Sequence, residues 1–469
     1  LIQLEELIFM MSGFSFSSNL NPAILNPASA SIRFGKIIDN PQFINTSGYS
    51  GTSMPSQDAW DSRTVFDQGT DKPPLATVQQ APDSAVDVSF FQGKRGNNVV
   101  VKTPNATYIA LPGSKLVFPD TVVELPGKKL VGKLNSPAPD TGDVTPQTIT
   151  KQAMLLCGGL SSRFEPVSGP NTNLPKPAVE ILEDESIAKN IINHLKAHGF
   201  TKVIVHTYYL REQVKKALES VEGVEIQYLD DPHASGSAGG LFKALKSGMV
   251  DKNQDILILA GDAVTNGNLS DLVRAHKTND SSVTIGVQQV ADEDVNQFGI
   301  IQTDDPSGVG SGEIISFLEK PSLEDAGPNR LGSTGIYVLS PKSYETFLKL
   351  GGDILEAEQE TPIEKRIYDY GMNFLPTWLK NKLEHALSSD GKHMWAQRLM
   401  GYWNDVGNPI DYLRTIRDMA EGKMGPETAA RAEQCFKDGV MLWKGAQAKL
   451  NADTAQVEGN VIVAPLGKD

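Results

Sequence analysis

From residue 153 onward the chain alternates short runs of consecutive apolar residues with longer stretches that carry an apolar stripe. AMLLC (153–157), KVIVHT (202–207), EIQYL (225–229), DILILA (255–260) and SVTIGV (282–287) read as strands buried on both faces. Between them, 185–198 puts Ile187, Ile191, Ile192 and Leu195 on one helical face and stops at Gly199. Leu210, Val214 and Leu218 repeat that spacing in the next interval. This alternation predicts an α/β fold: a mixed, mostly parallel sheet with helices on both faces. Ligands of such sheets bind beyond the carboxyl ends of the strands, where GGLSSR (158–163) and the Gly-Asp at 261–262 both fall.

The flanks have a different texture. The first 150 residues hold half of the 28 prolines, and 1–97 shows no sustained period of 2 or 3.6, so an irregular, largely disordered extension is expected there. In 98–150, runs such as VVVK, TYIA, KLVF and TVVEL alternate with Pro-Gly turns, and LPGSKLV at 111–117 recurs as LPGKKLV at 125–131. A small β-meander followed by a linker is the expectation. The α/β pattern covers 151–425. In the tail, 426–469, Leu442, Ala448, Val457 and Val463 suit the inward positions of a short left-handed β-helix, although the 448-to-457 gap breaks its period.

Composition narrows the class without naming it. With 469 residues, 39% hydrophobic and 21% charged, the chain can build two or three domains around a sizeable core. A formal charge of −14 argues against a general nucleic-acid or anionic-membrane binder, so an anionic substrate needs a local basic site. No run approaches the roughly 20 apolar residues of a membrane span. LIQLEELIFMM at the start lacks a basic region and a cleavage site, which makes cytoplasm the expected location. Two cysteines, Cys157 and Cys435, exclude a disulfide scaffold and a cysteine-built zinc site.

The chemistry concentrates after the first strand of the α/β region. Gly158 and Gly159 let the backbone approach a ligand, and Ser162, Arg163 and Lys176 follow in a polar, Pro-rich loop. A guanidinium fork and a mobile ammonium beside exposed amides are suited to a polyphosphate. Asp262 ends an apolar strand, and its carboxylate is a hard oxygen donor of the kind magnesium prefers.

These segments carry a resemblance. GGLSSRF with its Lys176-Pro177, GSAGGL (236–241), LAGD (259–262), FGIIQ with SFLEKP (298–302 and 316–321), STGIYVLSP (333–341) and GYWNDVGNPIDYL (401–413) occur in the order seen in sugar-1-phosphate nucleotidyltransferases. The chain from about 151 to 420 resembles that family, the nucleoside-diphosphate-sugar pyrophosphorylases, and most closely its cyanobacterial-type UTP–glucose-1-phosphate uridylyltransferases. The resemblance implies the Rossmann-like nucleotide-diphospho-sugar transferase fold. It also implies Mg²⁺-dependent attack of a sugar 1-phosphate on the α-phosphate of a nucleoside triphosphate, with pyrophosphate leaving. Arg163, Lys176, Asp262 and Asp405 would be catalytic, the two aspartates holding the metal. Gly158, Gly159, Ser162, Asp231, Gly236, Ser237 and Ala238 would contact the nucleotide, and Gly299, Glu319, Lys320 and Thr334 the sugar phosphate.

The match departs from the family in two places: Ser161 replaces a usual glycine, and 168–173 lengthens the loop between Arg163 and Lys176. Ser161-Ser162-Arg163 also resembles the molybdenum-cofactor guanylyltransferases, but those lack EKP and GYWxDVG and place their lysine nearer the arginine. The resemblance leaves room for mannose 1-phosphate with GTP as substrates, for a catalytically silent regulatory subunit, and for a homo-oligomer.

Overall fold

The computed structural model describes residues 36–39, 61–66, 76–93, 96–128, 451–465 and 151–442, the last with breaks at 166, 170–171, 309, 357–366, 385–392 and 438–439. The N-terminal apolar run, the linker before 151 and residues 129–131 of the second LPG copy lie outside them, as does Ala448.

The central sheet is built from β1 (Gln152–Cys157), β2 (Lys202–Thr207), β3 (Glu225–Asp230), β4 (Ile256–Ala260), β5 (Val283–Gln289), β6 (Gly299–Thr303), β7 (Gly312–Glu319), β8 (Leu331–Leu339) and β9 (Met394–Arg398). Their spatial order is β3-β2-β1-β4-β8-β5-β9-β7-β6. Successive side chains of a strand point to opposite faces, and β1 shows the consequence. Ala153, Leu155 and Cys157 join one buried cluster, while Met154 joins another. The first cluster is covered by α1 (Ile187–Ala197), α2 (Arg211–Leu218), α4 (Leu269–Thr278) and α7 (Pro409–Ala420). The second is covered by α3 (Gly239–Ser247), α5 (Pro341–Leu355) and α6 (Leu375–Glu384). Helices therefore lie on both faces, as the two-sided apolar strands require.

The sheet is mixed and mostly parallel by strand direction, as expected: seven of its nine strands run one way, and β7 and β8 run the other. β3, β2, β1 and β4 run parallel, as do β5 and β9, but β8 is antiparallel to β4, β5 and β6, and β7 to β6 and β9. A helical crossover returns the chain in the same direction, whereas the short connection from β6 to β7 leaves room only for a hairpin. The parallel half carries the first glycine loop and the antiparallel half carries Glu319.

The flanks differ from the expectation. Residues expected to be irregular form strands at Lys36–Asp39, Asp61–Phe66, Ala76–Gln80 and Asp87–Gly93. The tail is not a β-helix standing by itself. Gln456–Glu458 pairs with Lys115–Val117, and Val461–Pro465 pairs antiparallel with Ala106–Ala110. Two six-stranded sheets result, each mixing residues from both ends of the chain. They enclose Val78, Val101, Tyr108, Leu116, Val461 and Val463 in one cluster. Asp453 ties the ends further, accepting hydrogen bonds from Thr103 Oγ1 (2.6 Å), Asn105 Nδ2 (2.6 Å) and Tyr108 Oη (2.7 Å). The opposite parity of these strands docks on the α/β region: Val100, Ile109, Leu111, Met441 and Ile462 share a cluster with α7. Among the described residues, no helix is long and apolar enough to cross a membrane.

Candidate active site

β1 ends at Cys157 and delivers Gly159 to a cleft of about 300 Å³, whereas Gly158 is not among the residues lining it and a Cβ there would meet the His206 ring at 3.1 Å. Leu160, Ser161, Arg163, Lys176, Gly261 and Asp262 line it as well. Nothing lies within 4 Å of where a Cβ of Gly159 would stand, so its backbone is open to a ligand. A single 3₁₀ turn, Ser162–Phe164, follows and leaves Ser162 and Arg163 exposed at the mouth. Ser161 explains the family's usual glycine, because it sits at φ 59°, the left-handed region where a side chain costs about 1–2 kcal/mol. Its hydroxyl gives something back by accepting the Lys176 amide at 3.1 Å, which joins the two ends of the loop.

Lys176 is buried, and its ammonium reaches Asp262 Oδ2 at 2.6 Å while lying 5.8 Å from the centre of the Phe164 ring. Phe164 is held in turn edge-on against Tyr412 of α7. The lysine is thus fixed in position by a carboxylate and an aromatic face.

Asp405 reaches the same place through a two-stranded ladder. Ala263–Thr265 pairs antiparallel with Trp403–Asp405, with Ala263 opposite Asp405, and Val406 N–H donates to the Asp262 carbonyl at 3.0 Å. Asn408 then caps α7 by accepting from the amides of Ile410 and Asp411, with Pro409 at the first helical position. This turn stops the strand at the depth where Asp405 meets Asp262. Burial pushes the Asp405 carboxyl up to about 7, and the Asp262 charge pushes the same way; Lys176 and Arg163 oppose them, while Asp411 adds to the rise. A buried carboxyl raised first by burial and then by a neighbouring carboxylate is one that a cation between them would favour in its charged form. Among the described residues, no group of three or more His, Cys, Asp or Glu converges on one point. The pair suits magnesium, which takes few protein carboxylates and fills its shell with water and substrate phosphate.

The residues expected to meet the sugar phosphate lie on the antiparallel strands and are not among those lining this cleft. Gly299 of β6 is opposite Glu319 of β7, and a Cβ at 299 would meet the Phe317 ring at 2.6 Å and Glu319 Oε2 at 3.1 Å. Lys320 turns at φ 49°, stays exposed, and places Nζ 3.5 Å from Glu319 Oε1. Burial raises the Glu319 pKa; Lys320 opposes the rise and Asp369 reinforces it. Thr334 is buried and its hydroxyl donates to the Gly286 carbonyl at 2.7 Å, a bond inside the sheet.

Asp231, expected at the nucleotide, is also engaged within the fold. It is buried below the glycine loop at 236–239, where Oδ2 accepts from Ser235 Oγ (2.5 Å) and faces His206 Nε2 (3.2 Å). Oδ1 takes the Lys243 ammonium and the His233 amide. Burial alone would raise its pKa, but the four donors together hold the carboxyl below the usual range. Both oxygens are spent on the framework, which leaves Asp231 a support of the loop. Gly236 itself, at φ 86°, packs so tightly on the Tyr368 carbonyl that no side chain fits. Ala238 and Gly239 donate their amides to that carbonyl at 3.0 and 3.2 Å, and Ser237 Oγ donates to Asp369 Oδ2 at 2.6 Å.

The sequence marks Gly261 within LAGD without showing why it is glycine, and it gives Asp369 no role. Gly261 must be glycine because a Cβ would stand 2.5 Å from the Leu156 carbonyl and 3.0 Å from Cys157 Sγ. Asp369 sits in a YDYG run (368–371) whose place beside Glu319 only the folded chain reveals. Cys157 is buried at the cleft floor, where burial first and then the Asp262 charge raise its pKa. It behaves as a small apolar residue.

A glycine turn after the first strand and a lysine pinned on Asp262 thus share one cleft, with Asp405 brought toward Asp262 by the short ladder. The nucleotidyl transferase family model matches residues 152–422, and the chain belongs to that family, as an enzyme of its sugar-1-phosphate nucleotidyltransferase class. It is similar to the UTP–glucose-1-phosphate uridylyltransferase of Synechocystis, 26% identical over 323 residues, covering 66% of this chain and 73% of that protein. It is also similar to the mannose-1-phosphate guanylyltransferase of Mycobacterium tuberculosis, 25% identical over 307 residues (63% of this chain, 72% of that protein). Mannose-1-phosphate guanyltransferase beta-A of Xenopus laevis is 26% identical over 267 residues, 56% of this chain and 62% of its own length. A solved UDP-glucose pyrophosphorylase from Acinetobacter baumannii aligns with a TM-score of 0.44 at 22% identity, over 61% of this chain and 97% of that one.

Proposed function

We propose that this chain transfers a uridylyl group from UTP to glucose 1-phosphate, forming UDP-glucose and pyrophosphate, with Mg²⁺ held by Asp262 and Asp405. The observation that carries the reading is the ladder that joins these two aspartates beside the Lys176 ammonium, 2.6 Å from Asp262. An oxygen of the sugar phosphate attacks the α-phosphorus, the bond from that phosphorus to the β-phosphate bridge oxygen breaks, and pyrophosphate leaves. The protein's task is to bring two anions together in line and offset their repulsion. Lys176 supplies a fixed positive charge for the α-phosphate and the attacking phosphate. Arg163, exposed at the mouth, and the amides after Gly158 hold the outgoing β- and γ-phosphates. A bound magnesium ion adds neutralising charge on the polyphosphate. Glu319 accepts hydrogen bonds from sugar hydroxyls, and Lys320 meets the sugar phosphate.

The resemblance of GSAGGL, LAGDA and YDYG to the cyanobacterial uridylyltransferases supports uridine and glucose, as does the longer alignment with the Synechocystis relative. The mannose-1-phosphate guanylyltransferases among the relatives support GTP and mannose 1-phosphate as a second reading. Pyrophosphate release, measured with Mg²⁺ across four nucleoside triphosphates and the 1-phosphates of glucose, mannose, galactose and glucosamine, separates them. Turnover confined to UTP and glucose 1-phosphate, lost in Asp262→Ala and Asp405→Ala, is expected. Turnover only with GTP and mannose 1-phosphate would select the second reading. Silence across the grid from a folded protein would point to a regulatory subunit.

A further inference from the structure

One acidic side chain in the substrate region belongs to neither the phosphate loop nor the sugar motif. Asp369 caps a five-residue π-helical turn, Tyr370–Phe374, with Oδ1 accepting from the amides of Gly371 (2.9 Å) and Met372 (3.2 Å). Its Oδ2 accepts from Ser237 Oγ at 2.6 Å, and that hydroxyl accepts the Tyr370 amide at 3.0 Å. π-Turns are rare and concentrate at functional sites. The same segment holds the glycine loop at two further points, through the Tyr368 carbonyl and through the Tyr368 amide, which donates to Ser235 O at 2.9 Å.

The far side of the turn presses on Glu319. A Cβ at Gly371 would stand 2.6 Å from Glu319 Cδ, so the bare glycine backbone forms one wall of that carboxylate's seat. Lys320 at 3.5 Å, Asp369 and Tyr337 are the other titratable groups that act on or respond to Glu319. Tyr337 stacks on Tyr370 at 4.8 Å, which fixes the turn against β8.

We propose that Asp369 is a positioning residue shared by both substrates: it holds the glycine loop at 236–239 through Ser237 and, through the turn it caps, sets the orientation of Glu319. The inference rests on the functional reading above, in which the loop meets nucleotide and Glu319 meets sugar. Because Ser237 is bonded to the acid that caps the turn, a change at the loop reaches Glu319 through two hydrogen bonds and one backbone contact.

The test is steady-state kinetics of the full chain for wild type, Ser237→Ala, Asp369→Asn and the double variant, varying each substrate in turn. Asn keeps an acceptor for the cap, and Ser237→Ala leaves the cap intact, so at least one variant folds; melting curves confirm it. The expected result is a KM for sugar 1-phosphate raised about tenfold in each single variant, the effect of one lost hydrogen bond to a charged group. The double variant should be no worse than the poorer single one, because both remove the same link. Removing the Asp369 charge should also move the acidic limb of the sugar-phosphate KM profile to lower pH, a shift that loosened packing does not produce. Wild-type turnover with a sugar-phosphate KM and pH limb unmoved in both variants would overturn the proposal. Wild type that neither turns over nor binds a sugar phosphate would instead overturn the functional reading, and this proposal with it.

Discussion

Replacing Asp405 with asparagine should make the metal-free protein more stable at neutral pH while destroying its activity. The carboxyl is raised from 3.8 to about 7, first by burial and then by Asp262. In the unfolded chain the group ionises near 4, so between pH 4 and 7 folding retains a proton that unfolding releases. The sign follows: wild-type stability falls as pH rises through this window and levels off above 7. At full ionisation, a rise of that size is roughly 4 kcal/mol. Asp405 is partly exposed and its charge is shared with Asp262, so about half of that, ~2 kcal/mol, is the expected penalty. Asparagine has no such penalty, and the gain corresponds to a melting temperature about 3–4 °C higher for a domain of this size. Thermal melts of wild type and Asp405→Asn in EDTA at pH 8, 6 and 4.5 read this out. The gap should be widest at pH 8 and close toward pH 4.5. Added Mg²⁺ should raise the wild-type melting temperature at pH 8 and leave the variant nearly unchanged. A variant no more stable than wild type at pH 8, or a gap that does not narrow with acid, would refute the idea that the pair repels until a cation neutralises it.

Three further outcomes follow from single contacts. Gly261→Ala should cost about 1–3 kcal/mol and lower turnover, because its Cβ would strike the Leu156 carbonyl at 2.5 Å at the cleft floor; urea melts and pyrophosphate release measure both. Lys176→Met should lower kcat by about 10²–10³ while the chain still folds, since the ammonium is a preorganised charge rather than a core element; stopped-flow pyrophosphate release gives the number. A chain starting at 151 should melt lower and self-associate on gel filtration, because it strips Val100, Ile109 and Leu111 from a shared core and leaves Val461–Pro465 without its partner strand. Each of those side chains contributes about 1.5–3 kcal/mol. A truncated chain that melts like the full one would show the terminal strands to be dispensable.

The local part of the molecule was legible from the residues in order. Apolar runs bounded by Gly and polar stripes predicted β1 to β5 and α1 nearly to the residue, because period and burial are properties of neighbouring positions. The phosphate loop was readable for the same reason: Gly158, Gly159, Arg163 and Lys176 lie within one connection. Asp405 was reached only through the family resemblance, and its meeting with Asp262 depends on a ladder between segments far apart in the chain. Asp231 and Thr334 looked like ligand contacts because a sequence shows a polar side chain without showing which neighbours already occupy it. His206, Ser235, Lys243 and Gly286 supply those partners only after folding. The terminal strands were hidden most completely. Ala76 and Val78 share their buried cluster with Val440, Val461 and Val463 from the other end of the chain. What the residues alone determined was periodicity, loop chemistry and the family likeness. The tertiary structure alone decided which distant segments pair, since strand pairing and carboxylate proximity are long-range facts that no local pattern encodes.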